Sequence, residues 1–195
     1  MRLPSLSRSW RFSDRVKLKI IRLASGRPPA DILKILHYRR EFFGEPFTDW
    51  VHQVLRGPSE WSVGERELMA AFVSHLNQCR FCEGSHAAIA DVTLGPDVTA
   101  AALADWRTAP LRPALRAAFA LLEVLTLRPA EVGPEHIEAA YAHGVTEQGV
   151  RDVIHVCGIF CTINRIADAV DFAVPDDKGL KGDAYQLLKR GYAIS

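Results

Sequence analysis

Apolar residues recur at intervals of three and four along almost the whole chain, and this spacing limits the fold to helices. The segments with this spacing end at glycine or proline, two residues that commonly close helices. Alternating apolar and polar runs, which are typical of strands, are nearly absent. The sequence therefore predicts an all-α protein. Its 195 residues, with 48% hydrophobic composition, are enough for one domain with a buried core.

Start and stop signals predict the bounds of several helices. Asp31 is expected to cap a helix that runs to a stop at Gly44. Ser62 and Glu65 have the spacing of a capping box, which predicts that a long helix begins after Ser62. Thr146 is expected to cap the longest apolar helix.

The two ends of the chain differ from its middle. Residues 1–27 contain eight basic side chains and one acid, Asp14, whereas the remainder contains sixteen basic and twenty-two acidic side chains. Residues 28–175 are expected to form the helical domain, and residues 176–195 a polar tail with a short helix near its end. The basic arm is expected to be a helix with one apolar stripe, formed by Val16, Ile20, Leu23 and Ala24.

The composition favours a cytoplasmic location. No apolar run approaches the roughly 20 residues of a membrane-spanning helix, and the start of the chain has no signal-peptide core. The basic arm has few aromatic residues, so we expect it to lie on the acidic body or bridge subunits rather than bind nucleic acid. A non-catalytic protein whose arm recruits nucleic acid stays as one alternative. In a reducing compartment, four cysteines indicate metal binding or redox chemistry rather than structural disulfides.

The segment NQCRFCEGSHAAIA, residues 77–90, places Cys79, Cys82 and His86 on one face of a helix. If Cys79 begins that helix, its sulfur lies at the positive end of the helix dipole, which lowers a thiol pKa. His86, one turn after Cys82, is placed to exchange a proton with it. Glu67 is the candidate second member of a proton relay. Taken alone it is expected at the surface, but a buried carboxyl there would have a raised pKa.

Three interpretations of the cysteine cluster compete, namely a redox dithiol, a zinc site and simple core packing. Zinc requires a fourth ligand, which Cys157, Cys161 or His155 would have to supply. We favour the redox dithiol. Cys157 and Cys161 are interpreted as core residues, with a second redox pair as the alternative, and His155 as an interior histidine. A polar patch near the end of the same helix is interpreted as a structural ion pair, or else as support for the cysteine site: Asn164, Arg165 and Asp168.

The string GERELMAAFVSHLNQCRFCEGSHAAIA resembles the core motif of the alkylhydroperoxidase AhpD-like proteins, within the carboxymuconolactone decarboxylase family. The family pattern is a glutamate, Cys-x-x-Cys twelve residues later, a histidine four residues after the second cysteine, and a glycine that closes the helix. The matching residues are Glu67, Cys79, Cys82, His86 and Gly95. The resemblance is sharp over residues 62–95, and other segments are similar to the peroxidase-related branch.

The resemblance implies an AhpD-like helical bundle that assembles as a homo-oligomer, commonly a trimer or hexamer. It implies a thiol peroxidase or disulfide reductase in which Cys82 reacts with the hydroperoxide and Cys79 is the more exposed resolving cysteine. Glu67 and His86 match the proton relay. No bound cofactor is expected, and electrons would come from an external dithiol, either a lipoylated or a thioredoxin-like protein.

True decarboxylases of the family lack the cysteine pair. A lyase or lactone reaction carried by Glu67 and His86 is therefore the second enzymatic alternative.

Overall fold

The computed structural model describes residues 2–3 and 10–194, and within them the chain forms ten α-helices and no strand. This confirms the predicted all-α class. Residues 1, 4–9 and 195, which belong to the predicted arm and tail, lie outside the described residues. The helices are α1 (Phe12–Ser25), α2 (Asp31–Tyr38), α3 (Glu45–Arg56), α4 (Val63–Leu76), α5 (Arg80–Leu94), α6 (Pro96–Asp105), α7 (Pro113–Leu127), α8 (Pro134–Ala142), α9 (Glu147–Val170) and α10 (Asp177–Arg190).

Helix α4 lies at the centre of the bundle. Every residue from Gly64 to Ser74 is buried, because α3, α5, α6, α7 and α9 all pack against it. The predicted capping box is confirmed: the Ser62 hydroxyl accepts from the Glu65 N–H at 3.2 Å, and the Glu65 carboxylate accepts from the Ser62 N–H at 2.8 Å. The central helix therefore starts at a defined residue and holds any side chain it carries away from solvent.

Helix α9 is the longest element, with 24 residues, and it begins after Thr146, whose hydroxyl caps it as predicted. By length and composition alone α9 could cross a membrane, but half of its most apolar window lies inside the bundle. Such burial is typical of the core helix of a globular domain. The apolar face of α9 packs on α4 and α7, and this brings its second half next to the start of α5.

The prediction that Gly44 stops the second helix is wrong. Helix α2 ends at Tyr38, and a π-helical turn over Arg40–Gly44 leads directly into α3. Gly44 is required there because a Cβ at this position would lie 2.0 Å from the Leu36 carbonyl oxygen. The glycine permits a close approach between two turns and does not end a helix.

The predicted helix at the basic arm is present as α1, but its apolar stripe does not pack on the rest of the chain. Val16, Ile20 and Leu23 are exposed, as is Phe12 at the start of the helix. The buried side chains of α1 are Asp14 and Leu18 instead. The Asp14 carboxylate lies 3.7 Å from Arg40, which links α1 to the π-helical turn before α3.

The polar stretch before residue 184 is helical, contrary to prediction. Asp176 caps α10 by accepting from the Gly179 N–H at 2.8 Å, so the helix begins at Asp177, seven residues before residue 184. Helix α10 packs against α5. This packing directs the segment after Arg190 back toward α3, α4 and α5.

Candidate active site

Glu67 is the buried charge around which the site is built. It lies on α4 with no exposed surface, so its expected surface position is wrong. Three side chains converge on its carboxylate: Arg56 Nη1 lies 2.6 Å from Oε1, His86 Nδ1 lies 2.6 Å from Oε2, and the Tyr192 hydroxyl donates to both oxygens, at 2.8 and 3.0 Å. The predicted pairing of Glu67 with His86 is thus present in the geometry, with two further partners.

The pKa of Glu67 is lowered, and the expectation of a raised pKa is wrong. Burial is the largest single influence and would raise it. The charge and hydrogen bond of His86, the charge of Arg56 and the hydroxyl of Tyr192 together outweigh burial and favour the carboxylate. Glu67 is therefore a fixed anion that holds donors in place, rather than a group poised to titrate near neutrality.

Tyr192 comes from the segment after α10, which the sequence analysis treated as tail. Its ring lies against the Arg56 guanidinium, with 4.8 Å from Cζ to the ring centroid. Burial and the nearby Glu67 anion raise the pKa of the phenol well above its usual value, so the hydroxyl remains a donor. Its backbone N–H donates to His52 Nδ1 at 3.2 Å.

Gly191 makes this approach possible. It has φ of +70°, and a Cβ there would lie 2.4 Å from the His52 ring. Glycine is the residue that adopts this backbone region without a steric penalty.

Arg56 was not predicted from the sequence either. It is the last residue of α3, and its guanidinium donates to the Leu55 carbonyl at 2.9 Å as well as pairing with Glu67. No local pattern marks it. A buried carboxylate needs a partner of opposite charge, so the one available signal was that Glu67 required a cation from another helix.

A tight turn between α4 and α5 sets the position of the cysteines. Gln78 has φ of +60°, its N–H donates to the His75 carbonyl at 2.9 Å, and the Cys79 N–H donates to the Ser74 carbonyl at 2.9 Å. This is the bond pattern of a Schellman motif, with glutamine in the place that glycine usually takes. Cys79 is thereby the N-cap residue of α5, so the condition considered for it in the sequence is met at the helix start.

Cys79 and Cys82 are free thiols, and both are buried, with 0% and 3% exposed surface. The expectation that Cys79 is the more exposed is therefore wrong for the single chain. Hydrogen bonding with the Cys82 side chain and with its backbone N–H lowers the pKa of Cys79 despite burial. Interaction with Cys79, followed by burial, raises the pKa of Cys82 well above its usual value. Cys79 occupies the N-cap position of α5, and the positive end of the helix dipole there favours a thiolate on Cys79 over one on Cys82.

His86 lies one turn after Cys82 on α5. Its Nδ1 faces Glu67, and its ring packs edge-on against Phe160, with 4.5 Å between ring centroids. Among the described residues no direct hydrogen bond joins His86 to either sulfur, so transfer of a proton between them would require an intervening group.

Asn164 supports the cysteine site rather than an ion pair. It is buried on α9, donates to the Ser74 hydroxyl at 3.1 Å and accepts from Asn77 at 3.0 Å. Hydrogen bonding from Asn164 also acts on Cys82, in the direction that lowers its pKa. For Asn164, the geometry therefore favours support of the cysteine site over a structural ion pair.

The other candidates lie apart from Glu67. His155 is exposed and accepts from the Trp50 indole N–H at 3.2 Å, so its expected interior position is wrong. Cys157 is buried, whereas Cys161 is partly exposed. Within residues 2–3 and 10–194, no three His, Cys, Asp or Glu side chains are grouped to hold a metal ion.

Comparison with known proteins confirms the predicted resemblance. Residues 43–124 match the model of the carboxymuconolactone decarboxylase family. No curated protein matches the chain in sequence.

Solved structures share the fold over nearly the whole length. An uncharacterized peroxidase-related protein from Silicibacter sp. TM1040 is 24% identical with a TM-score of 0.78, covering 94% of each chain. An alkylhydroperoxidase AhpD core protein, an uncharacterized peroxidase-related protein from Ralstonia eutropha JMP134, is 22% identical with a TM-score of 0.77, covering 93% of this chain and 96% of its own. The debrominase Bmp8 is 17% identical with a TM-score of 0.69, covering 90% of this chain and 96% of its own.

Proposed function

We propose that the chain, whose residues 43–124 match the model of the carboxymuconolactone decarboxylase family, is a thiol-dependent peroxidase whose redox centre is the pair Cys79 and Cys82. The observation that carries the proposal is the pair of cysteines at the start of α5, one turn from a histidine that is hydrogen-bonded to a buried carboxylate. A helix start with a second thiol three residues later is suited to opening and closing a disulfide.

In the proposed reaction the Cys79 thiolate attacks the outer oxygen of a hydroperoxide. The O–O bond breaks, the leaving alkoxide takes a proton and departs as an alcohol, and Cys79 becomes a sulfenic acid. The Cys82 thiol then displaces water from that sulfur, and the disulfide closes. This reverses the roles implied by the family resemblance, because Cys79 occupies the N-cap position of α5, where the helix dipole favours a thiolate, and its pKa is lowered whereas that of Cys82 is raised.

Glu67 and His86 are assigned the supply of the proton to the leaving alkoxide. The Glu67 anion orients His86 through Nδ1, which leaves Nε2 to pass a proton through a water molecule. Complete burial of Cys79 favours hydrogen peroxide or a small organic hydroperoxide as the substrate. An external dithiol, lipoylated or thioredoxin-like, would then reduce the disulfide in the cytoplasm.

Trapping the sulfenic acid tests both the activity and the roles. The variants Cys82→Ser and Cys79→Ser are treated with one equivalent of hydrogen peroxide and dimedone, and the adduct is located by peptide mass spectrometry. We expect an adduct on Cys79 in Cys82→Ser and none on Cys82 in Cys79→Ser. An adduct on Cys82 in Cys79→Ser, with none on Cys79 in Cys82→Ser, would instead support the roles that the family resemblance implies.

Loss of thiols in the unsubstituted protein is the control. If its free-thiol count is unchanged by peroxide and neither variant forms an adduct, the peroxidase proposal is wrong. Lactone or lyase turnover that survives in Cys82→Ser would favour the alternative carried by Glu67 and His86. The geometry supports that alternative less, because both Glu67 oxygens already have partners.

We also propose a homo-oligomer, as trimer or hexamer. The exposed stripe of α1, with Phe12 at 82% and Leu23 at 74% exposed surface, supports it, because soluble monomers rarely leave such a face uncovered. Light scattering of the purified chain measures the subunit count, and a monomer at micromolar concentration would contradict this part of the proposal.

A further inference from the structure

A second pair of thiols lies one turn apart on α9. The sulfurs of Cys157 and Cys161 are 3.8 Å apart. Cys157 is buried, and its sulfur lies 3.6 Å from the Thr126 hydroxyl of α7. Cys161 is partly exposed. The interpretation of both residues as core therefore fits Cys157 alone.

The surroundings of Cys161 stabilise a thiolate. The Asn77 side-chain amide donates to its sulfur at 3.6 Å, and Arg165 lies one turn further along α9 with its guanidinium on the Cys161 carbonyl. Hydrogen bonding with Cys157, helped by Asn77 and Arg165, lowers the pKa of Cys161 to about 5. The pKa of Cys157 is raised, first by its bond to Cys161 and then by burial. These shifts favour the thiolate form on Cys161 and the thiol form on Cys157.

A cavity of about 530 Å³ opens beside the two sulfurs. Of the described residues that line it, Arg165 is the one ionic side chain apart from the thiols, and no acid is among them. The lining residues are Leu125, Thr126, Pro129, Cys157, Cys161, Thr162 and Arg165. This combination of an apolar wall, a nucleophilic sulfur and a cation suits a small anionic electrophile.

We propose that this cavity is an S-thiolation site, in which Cys161 accepts a thiol from an anionic low-molecular-weight disulfide. The Cys161 thiolate attacks one sulfur of the disulfide, a new S–S bond forms, and the second half leaves as a thiolate with the electron pair of the broken bond. Cys157 positions the thiolate by donating a hydrogen bond to it. This site does not depend on the peroxide chemistry proposed for Cys79 and Cys82. Either proposal can therefore be wrong without affecting the other.

The experiment uses the full chain with Cys79→Ser and Cys82→Ser, so that the first thiol pair is silent. It is exposed at about pH 6 to dithiodiglycolate, an anionic disulfide, or to cystamine, a cationic one. Each rate is divided by the rate of the same disulfide with N-acetylcysteine, and the adduct is located by peptide mass spectrometry. We expect a mixed disulfide on Cys161 with dithiodiglycolate, formed roughly fivefold faster than on N-acetylcysteine, because the thiolate is the attacking form.

Two further variants distinguish the site from a merely exposed thiol. In the parent protein we expect the normalised rate of the anionic disulfide to be roughly fivefold that of the cationic one. In Arg165→Gln the two normalised rates should differ by no more than about twofold. Arg151→Gln, which removes an exposed cation elsewhere on α9, should keep the preference. No adduct on Cys161, equal normalised rates in the parent protein, or the same loss of preference in both variants would overturn the proposal.

Discussion

At the scale of single residues, the charge of Glu67 depends on its neighbours. An isolated carboxylate with no exposed surface would take up a proton, because burial disfavours its charge. Arg56, His86 and Tyr192 supply the donors that keep it ionised. The site is consequently preorganised by a fixed charge and does not rely on a carboxyl that titrates.

The hydroxyl of Tyr192 can be removed without its ring. Tyr192→Phe keeps the contact with Arg56 but deletes two hydrogen bonds to a charged acceptor. We expect the free energy of unfolding to fall by about 1–2 kcal/mol. Tyr185→Phe, which alters an exposed tyrosine on α10, is the control and should change it by a few tenths at most. Urea denaturation measures both, and equal effects would contradict the role given to Tyr192.

The residues found by sequence and those missed differ in how they are linked to one another. Glu67 and His86 were predictable because one helix–turn–helix unit carries both, so their spacing has a geometric meaning. Arg56 and Tyr192 reach the same carboxylate from α3 and from the segment after α10. No periodicity relates positions so far apart in the chain, and only the packing of whole helices brings them together.

At the scale of elements, the turn between α4 and α5 holds a non-glycine residue in the left-handed region. Gln78 adopts φ of +60° in a motif that favours glycine. Gln78→Val should lower the free energy of unfolding by about 1–2 kcal/mol, because a branched Cβ is poorly tolerated in this conformation. Gln78→Asn, which keeps a side chain that tolerates it, is the control and should cost clearly less. Thermal unfolding decides, and equal losses would mean that the turn is not strained at this residue.

Two of the three predicted helix caps are confirmed, whereas the prediction that Asp31 caps a helix is wrong: Ala30 has the N-cap position of α2, and Asp31 is the first residue inside that helix. Ser62 and Thr146 act through their own side chains on the next residues, so the signal is local. Gly44 was misread because its role is to let the chain pass the Leu36 carbonyl, a contact that a sequence does not reveal. The early start of α10 was missed because its first turns carry little apolar surface, although Asp176 was present as a cap.

For the whole molecule, stability is expected to depend on pH in both directions. The folded pKa of Glu67 lies below its ordinary value, so its contribution is complete above that value and is lost as the pH falls through the folded pKa. The pKa of Tyr192 is raised, so its contribution is complete below about pH 10 and is lost as the pH rises through the folded pKa. Asp31 and Glu65, whose pKa values are also lowered, steepen the acid side.

Replacing the buried anion tests this expectation. Glu67→Gln should cost about 3 kcal/mol at neutral pH, because Arg56 is left buried without its counter-charge. Below about pH 4.5 its stability should decline less steeply than that of the unsubstituted protein. Glu83→Gln, at a partly exposed position on α5, is the control. Urea titrations over a pH series give both slopes, and parallel curves would show that Glu67 is not the group lost on acidification.

Helix α4 has no outward side along the eleven positions from Gly64 to Ser74. Ordinary surface helices accept replacements once per turn, so tolerance to mutation oscillates along them. Tolerance to substitution should not vary in this way along α4, because every position from Gly64 to Ser74 is buried. Substitutions during evolution are then expected mainly at the few residues at its two ends. A lineage that altered this protein's chemistry would therefore have to change the helices that surround α4 and leave the central rod almost as it is.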